Sequence, residues 1–462
     1  MSTDDSSREA RIAQLEARLA AKERELQEIQ GSRAWRAVSA LRSLKHRLVD
    51  PVLAVFGIRW PRKSNSSHLS HLSHSSHLSH RPPPPRADRY DVLCLSTCDW
   101  HERFQRPQQL LSRFAEAGHR VFWISRHFRE DGPPWTLQTV RENVHEVTLR
   151  GPRLDAYGDA LRDAARDRLF EGLAELPLSP NTVAIVHLPF WWPLAKLARE
   201  RFGWPVVYDC MDLHGGFATV GRAMVAQEDQ LLQGADLVVV TSAVLEQRAL
   251  KVRGNDGTNR TYRTDETSQS PVVIPNACDY AHFAHTPRAN NPRPAIGYYG
   301  AISDWFDSVL VVELAQRRPD WDFVLVGGTY GGDVSRLARL PNVTLPGEQT
   351  YESLPEWLGR FDVAIIPFKR TPLTEATNPV KVYEMLASGK PVVSVPIPEV
   401  AALAPLVRLA STAADFERAI ESSLAEPGTA ATERQVFARA ETWERRFTVL
   451  AAAVAALVPG QP

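Results

Sequence analysis

From Asp91 onward the chain alternates short, unbroken apolar runs with amphipathic stretches. The runs lie at Asp91–Ser96, Arg120–Ser125, Val183–Leu188, Val206–Asp209, Leu237–Thr241 and Val272–Ile274. Helical spacing appears between several of them, at Pro107–Ala117, Leu154–Leu173, Leu194–Arg201 and Gly221–Leu232. Runs without polar alternation read as strands buried on both faces, hence as a parallel sheet. A second series follows: strands at Ile296–Gly300, Phe323–Gly327, Val343–Leu345, Val363–Pro367 and Val392–Val395, with helices at Asp307–Gln316, Leu354–Leu358 and Val380–Ala387. The pattern predicts an α/β chain of two doubly wound domains, 89–280 and 281–430, joined near 277–293. Residues 252–271 are polar and read as an exposed insertion. In the segment 431–462, Trp443, Phe447, Leu450, Val454 and Leu457 form an apolar helical stripe, expected to cross back onto the first domain.

The first 88 residues have a different texture. Ile12, Leu15, Leu19, Leu26 and Ile29 step by three and four, with Lys22 in one seam position. Residues 1–30 therefore predict a coiled-coil helix that pairs with itself or another chain through 8–30, a lone solvated helix being the alternative. Residues 31–63 carry Arg33, Arg36, Arg42, Lys45, Arg47, Arg59, Arg62 and Lys63 against the single acid Asp50, with Trp35 and Trp60 among apolar residues. This segment suits an anionic membrane surface, or else packs on the domain behind it. Residues 64–88 repeat His68, His71, His74, His77 and His80 among Ser and Leu, then run through Pro82–Pro85; they read as a disordered linker.

Charge narrows the partners. In 462 residues, 54 Lys plus Arg cancel 54 Asp plus Glu, so no global field points to nucleic acid. No run of about 18 apolar residues exists to span a bilayer, and no signal peptide opens the sequence. Cys94, Cys98, Cys210 and Cys278 are scattered, as reduced thiols of a cytoplasmic protein would be. The expected location is the inner face of the membrane, held peripherally.

The stretch from Thr377 to Val393 carries the clearest chemistry. Asn378 reads as a helix N-cap, Pro379 as the first helical residue and Gly389 as the stop. The helix would begin at the carboxyl edge of the sheet, where free N–H groups favour an anion. Lys381 in its first turn opposes the helix dipole, and a bound phosphate would account for it. Glu384, three residues on, shares its face and would reach ribose hydroxyls; the alternative is a plain Lys381–Glu384 surface pair.

This stretch resembles the GT-B glycosyltransferases, in particular the family 1/4-like bacterial group of surface polysaccharide assembly. So do Ile296–Phe306, Phe323–Gly328, Leu340–Gly347 and the Arg106-Pro-Gln-Gln109 opening. The resemblance implies two Rossmann-like domains facing a cleft, the second holding a nucleotide-diphosphate sugar as co-substrate, without a required metal or other cofactor. It implies Lys381 on the diphosphate, Glu384 on the ribose, and Gly300 to Ser303 beside the diphosphate. Gly327 and Tyr351 join the donor residues, Gln349–Tyr351 lining the base. Where related retaining enzymes carry a second glutamate, this chain has Ala376, with Glu375 one position earlier as a shifted substitute or a surface residue; Glu375 and Asn378 are counted with the donor residues.

On the acceptor side, Asp99, His101 and Arg106 lie in the loop after the first strand, Arg106 reading as a ligand for an acceptor phosphate or as a salt-bridged loop arginine. His187, Asp209 and Asp212 close two strands and are the candidate catalytic groups or, alternatively, structural ones. The Asp320-Trp-Asp322 triplet lies away from the ligand edge and is not read as a metal site. Gly215–Gly216 and Gly331–Gly332 lack the Lys-Ser or Lys-Thr of a triphosphate loop. The expected activity is transfer of a sugar to a hydroxyl of a lipid-linked or growing glycan. A nucleotide-sugar epimerase and a non-catalytic assembly scaffold are the alternatives.

Overall fold

The computed structural model of the chain describes residues 82–254, 270–286 and 290–458. The coiled-coil, basic-segment and His-repeat expectations, and most of the 252–271 insertion, lie outside the described residues. Among the described residues no helix is long and apolar enough to cross a membrane.

The first sheet comprises β1 (Asp91–Leu95), β2 (Val121–Ile124), β3 (Trp135–Arg141), β4 (Val144–Leu149), β5 (Thr182–Val186), β6 (Val206–Cys210), β7 (Leu237–Val240) and β8 (Val272–Val273). Their order is β3-β4-β2-β1-β5-β6-β7-β8, parallel except for the β3–β4 pair. Residues along β1 alternate between two cores: Leu93 and Leu95 on one face, Val92 and Cys94 on the other. Burial on both faces explains the unbroken apolar runs.

The second sheet is fully parallel in its main ladder. It is built from β9 (Ala295–Tyr299), β11 (Asp322–Val326), β13 (Val343–Gly347), β14 (Val363–Ile366), β15 (Val392–Ser394) and β16 (Val407–Leu409), in the order β13-β11-β9-β14-β15-β16. A separate parallel pair, β10 (Ile302–Ser303) with β12 (Thr329–Tyr330), ties two loops at the carboxyl edge together.

The chain passes between the domains twice, and the two crossings pair. Cys278 N–H donates to Glu441 O at 3.1 Å, and Trp443 N–H to Cys278 O at 3.3 Å. The Trp443–Ala455 helix then buries Trp443, Leu450 and Val454 in the first domain's core beside Leu110, Leu111 and Phe114. Phe447 meets Phe114 edge-on at 4.9 Å.

Several local expectations shift. The helical pattern from Leu154 becomes helix only over Asp163–Ala174. Upstream, Asp155 and Asp159 satisfy nearby N–H groups in a turn, a competing local solution that aspartates favour. The half-exposed β3 and the edge strand β16 lack a continuous apolar run and so carry no plain strand signature. The Ala243–Arg253 helix was also unread, although Ser242 caps it by accepting from Leu245 N–H.

Candidate active site

The residues expected on the donor side lie on loops at the carboxyl edge of the second sheet. The Val380–Ala387 helix starts one residue later than the sequence suggests: Pro379 takes the N-cap position, with no side-chain cap bond. Asn378 is therefore not the cap. It is 2 % exposed, accepts from Asn276 N–H at 3.2 Å, and donates to Glu399 Oε2 at 2.9 Å and to Tyr383 Oη at 3.2 Å. Its amide is committed within the protein and offers nothing to a donor.

Lys381 sits in the first helical turn. Its Nζ donates to the Tyr298 hydroxyl at 3.3 Å and lies 4.8 Å from the Tyr298 ring centre and 4.9 Å from that of Phe368. Burial pushes its pKa down to about 8, with the nearby Glu384 pulling the other way. The ammonium makes no ion pair among the described residues. Gly300 makes room for it: with φ +129°, a Cβ there would stand 2.6 Å from Nζ. Gly327 (φ +155°) closes the same turn, its virtual Cβ only 1.9 Å from Gly300 O. No side chain fits at either position.

Glu384 is buried at 5 % exposure, and its Oε2 accepts from the Tyr299 hydroxyl at 2.7 Å. Burial lifts its pKa to about 7, against that hydrogen bond and Lys381. Lys381 and Glu384 are thus withdrawn from water on one face of the helix, not a solvated surface pair. Ser303 is buried and donates to Tyr330 O at 2.5 Å, so it braces the loop. Tyr351 lies at the domain junction, accepting from Gln109 Nε2 at 2.9 Å and stacked on His282 at 4.7 Å. Glu375 pairs with Arg370 at 3.0 Å, its side chain 41 % exposed. Ala376 is fully buried in the first domain's core.

The two carboxyl edges meet. Phe217 packs edge-on against Trp305 at 5.7 Å. A Cβ on Gly216 would touch Leu373 Cβ at 2.7 Å. Arg103 lies 4.5 Å over the Tyr330 ring and 3.5 Å from Glu348. A cleft bounded by both domains results.

On the first-domain side the structure decides between the alternatives for Arg106, Asp209 and His187. Arg106 is 2 % exposed. It forms a bidentate pair with Asp209 (2.9 Å from Nε to Oδ2 and from Nη2 to Oδ1) and also donates to Ile274 O at 2.9 Å. Buried and bonded in this way, its guanidinium is not presented to an acceptor phosphate. Asp209 is 1 % exposed; burial opposes its charge, but Arg106 and His187 overcome this and hold its pKa below the carboxylate range. Such a group is a poor proton acceptor. His187 is fully buried beneath it, 3.4 Å from Asp209 Oδ2 and 3.6 Å from Cys94 Sγ. These residues form a structural cluster.

Asp212 differs. It follows β6 and precedes the His214–Gly216 turn that abuts Leu373 of the other domain. Burial alone lifts its pKa to about 6, and its carboxylate has no hydrogen bond or ion pair among the described residues. Asp99 accepts from the Ser125 hydroxyl at 2.7 Å and pairs with His127 at 2.7 Å; His101 is exposed beside it. No cluster of potential metal ligands occurs among the described residues. Sequence reasoning missed Tyr298, Phe368, Arg103, Asn276 and Glu399. Only the loop position of Arg103 could have signalled its role, because the others acquire theirs from long-range contacts.

Comparison with known proteins agrees with this geometry. Residues 294–426 match the family described as Glycosyl transferases group 1, and residues 105–263 the Glycosyl transferase 4-like domain. The chain belongs to the GT-B glycosyltransferases, in the family 1/4-like group. It is 29 % identical over 332 residues to TuaH of Bacillus subtilis (strain 168), named as a teichuronic acid biosynthesis glycosyltransferase, covering 66 % of this chain and 80 % of that protein. Solved structures share the GT-B fold at low identity. Sucrose-phosphate synthase from Thermosynechococcus elongatus matches with TM-score 0.58 at 18 % identity, covering 80 % of this chain and 99 % of that one. Anabaena Alr3699/HepE, in complex with UDP and glucose, matches with TM-score 0.58 at 15 % identity, covering 79 % and 99 %.

Proposed function

We propose that this GT-B glycosyltransferase moves a sugar from a nucleotide-diphosphate sugar to a hydroxyl of a lipid-linked or growing glycan in cell-surface polysaccharide biosynthesis. The observation that carries the reading is Lys381: a desolvated ammonium without an ion-pair partner among the described residues, in the first turn of a helix, against a turn where glycine leaves room for the ammonium itself. Such a group calls for an anion. The TuaH relative supports a surface-polysaccharide setting. The basic segment 31–63 would hold the enzyme on the anionic inner membrane face.

In the reaction, the acceptor oxygen attacks the anomeric carbon as the bond from that carbon to the diphosphate oxygen breaks. The nucleoside diphosphate leaves with the electron pair. Lys381 and the first N–H groups of its helix stabilise the charge that develops there. Glu384 accepts from ribose hydroxyls. Asp212 takes the acceptor proton, its raised pKa suiting it to that exchange near neutral pH. Contact between the domains excludes water that would otherwise hydrolyse the donor.

Thermal-shift titration with UDP, GDP, dTDP, ADP and CMP tests the reading. One nucleotide should stabilise the wild type and fail to stabilise Lys381→Ala. Equal stabilisation of both proteins would remove Lys381 from the site.

A further inference from the structure

The loop that launches the Lys381 helix is held from outside its own domain. Ser242, at the start of a first-domain helix, donates to Ala376 O at 2.6 Å. Asn276, on the segment leaving β8, grips Asn378 twice. Its N–H donates to Asn378 Oδ1, and its Nδ2 donates to Asn378 O at 2.6 Å. On the far side Asn378 donates to Glu399, whose other oxygen accepts from Ala243 N–H of the first domain at 2.9 Å.

Asn276 is itself anchored. Arg106 Nη1 donates to its Oδ1 at 3.3 Å, and Arg446 Nε to its carbonyl at 3.3 Å. A continuous polar chain therefore runs from Asp209 through Arg106, Asn276 and Asn378 to Glu399. Every link is hydrogen-bonded, and both asparagines are buried. The Val380–Ala387 helix has no side-chain cap of its own. Part of what fixes its first turn, and so the direction of Lys381, comes from the other domain.

We propose that Asn378 is a positioning residue: held between Asn276 and Glu399, it couples docking of the first domain to presentation of Lys381 and Glu384. This rests on the donor-site reading above and adds that the donor site is complete only when the two domains are engaged. Asn378 touches no substrate in this account.

Chemical polarity along the chain provides the test. Asn378→Asp keeps an acceptor for Asn276 N–H but sets a carboxylate against Glu399. Glu399→Gln, if it keeps an acceptor for Ala243 N–H, turns an amide donor toward the Asn378 amide donor. Combined, the two substitutions restore one donor facing one acceptor and conserve net charge.

Hydrogen exchange of amides 376–384 in the full-length apo protein reads the coupling directly. Calorimetric binding of UDP, GDP, dTDP and ADP reads its effect on the site. Each single variant should expose the 376–384 amides to faster exchange and weaken nucleotide binding about tenfold, and the double variant should return both to within about threefold of wild type. A bond that only supported the fold would change exchange and be rescued without altering nucleotide binding. Unchanged exchange in folded single variants, or no rescue in a folded double variant, would overturn the proposal. Absence of nucleotide binding to the wild type, with the exchange pattern and its rescue intact, would refute the donor-site reading while supporting the coupling.

Discussion

The ammonium of Lys381 rests 3.3 Å from the hydroxyl of Tyr298 and 4.8 Å from the centre of the same ring. A hydroxyl and a ring face replace the water the ammonium loses, but only in part, and its pKa falls from 10.5 to about 8. Because the folded pKa lies below the unfolded one, folding favours the neutral amine. The protonated form costs stability at every pH below about 8, and that cost fades as pH rises toward 10.5.

Lys381→Met should therefore raise the melting temperature of the ligand-free protein at pH 7, by about 1–3 °C, while abolishing nucleotide binding. Opposite changes in stability and binding are the mark of a group kept for function. Scanning calorimetry with and without nucleotide measures both. A lower melting temperature in the ligand-free variant would mean that Lys381 supports the fold.

The same titration sets an alkaline limit on binding. Above about pH 8 the free enzyme holds a neutral Lys381, and a diphosphate must draw a proton onto it. Affinity should then fall by up to about tenfold per pH unit. Lys381→Arg keeps its charge throughout this range, so its affinity, weaker at pH 7, should be flat from pH 7.5 to about 9.5. Isothermal titration across that range tells the two apart; parallel profiles would place the titrating group elsewhere.

Two aspartates near the end of β6 should separate by substitution. Asp209 neutralises a buried arginine, and removing its charge leaves Arg106 uncompensated, at a cost of about 3–5 kcal/mol. Asp209→Asn should melt well below the wild type. Asp212 is desolvated without a partner, so Asp212→Asn should melt at or above the wild-type temperature and still bind nucleotide, with turnover reduced about a hundredfold or more. Full turnover in Asp212→Asn would remove it as the proton acceptor.

How much of this was legible depended on the range of the interactions involved. Lys381 and Glu384 could be read because helix phase alone puts them on one face, and Gly300 and Gly327 because each ends a strand. The central strands were legible because burial on both faces leaves a plain signature. Arg106 stayed open between a phosphate ligand and a salt-bridged arginine for a reason of topology. Its partner Asp209 lies 103 residues away and its carbonyl acceptors begin at Ile274, and nothing local distinguishes a buried strut from a phosphate ligand. Asn378 shows the same limit more finely. Its type and place fit an N-cap, but Asn276, 102 residues distant, recruits it instead. Glu375, open between a shifted donor ligand and a surface residue, is paired with Arg370, five residues before it.

Arg103 joins the domains at the cleft mouth, on the loop after β1. Its guanidinium covers Tyr330 and pairs with Glu348, whose side chain is 50 % exposed, and Tyr330 also bonds to Glu348. A cation over a half-exposed ring contributes about 0.5–1 kcal/mol, and an exposed ion pair of this kind no more than that. So weak a clasp can hold the cleft closed and still release product. Arg103→Ala should leave the melting temperature within about 2 °C of wild type and enlarge the ligand-free radius of gyration in small-angle scattering. Raising the salt concentration should do the same to the wild type, since screening weakens the Glu348 pair but leaves the aromatic contact of Phe217 with Trp305 in place. Donor hydrolysis in the absence of acceptor should rise in the variant, as water gains entry. If scattering and hydrolysis both match the wild type, closure depends on the contacts at Phe217 and Gly216, and Arg103 only decorates the rim.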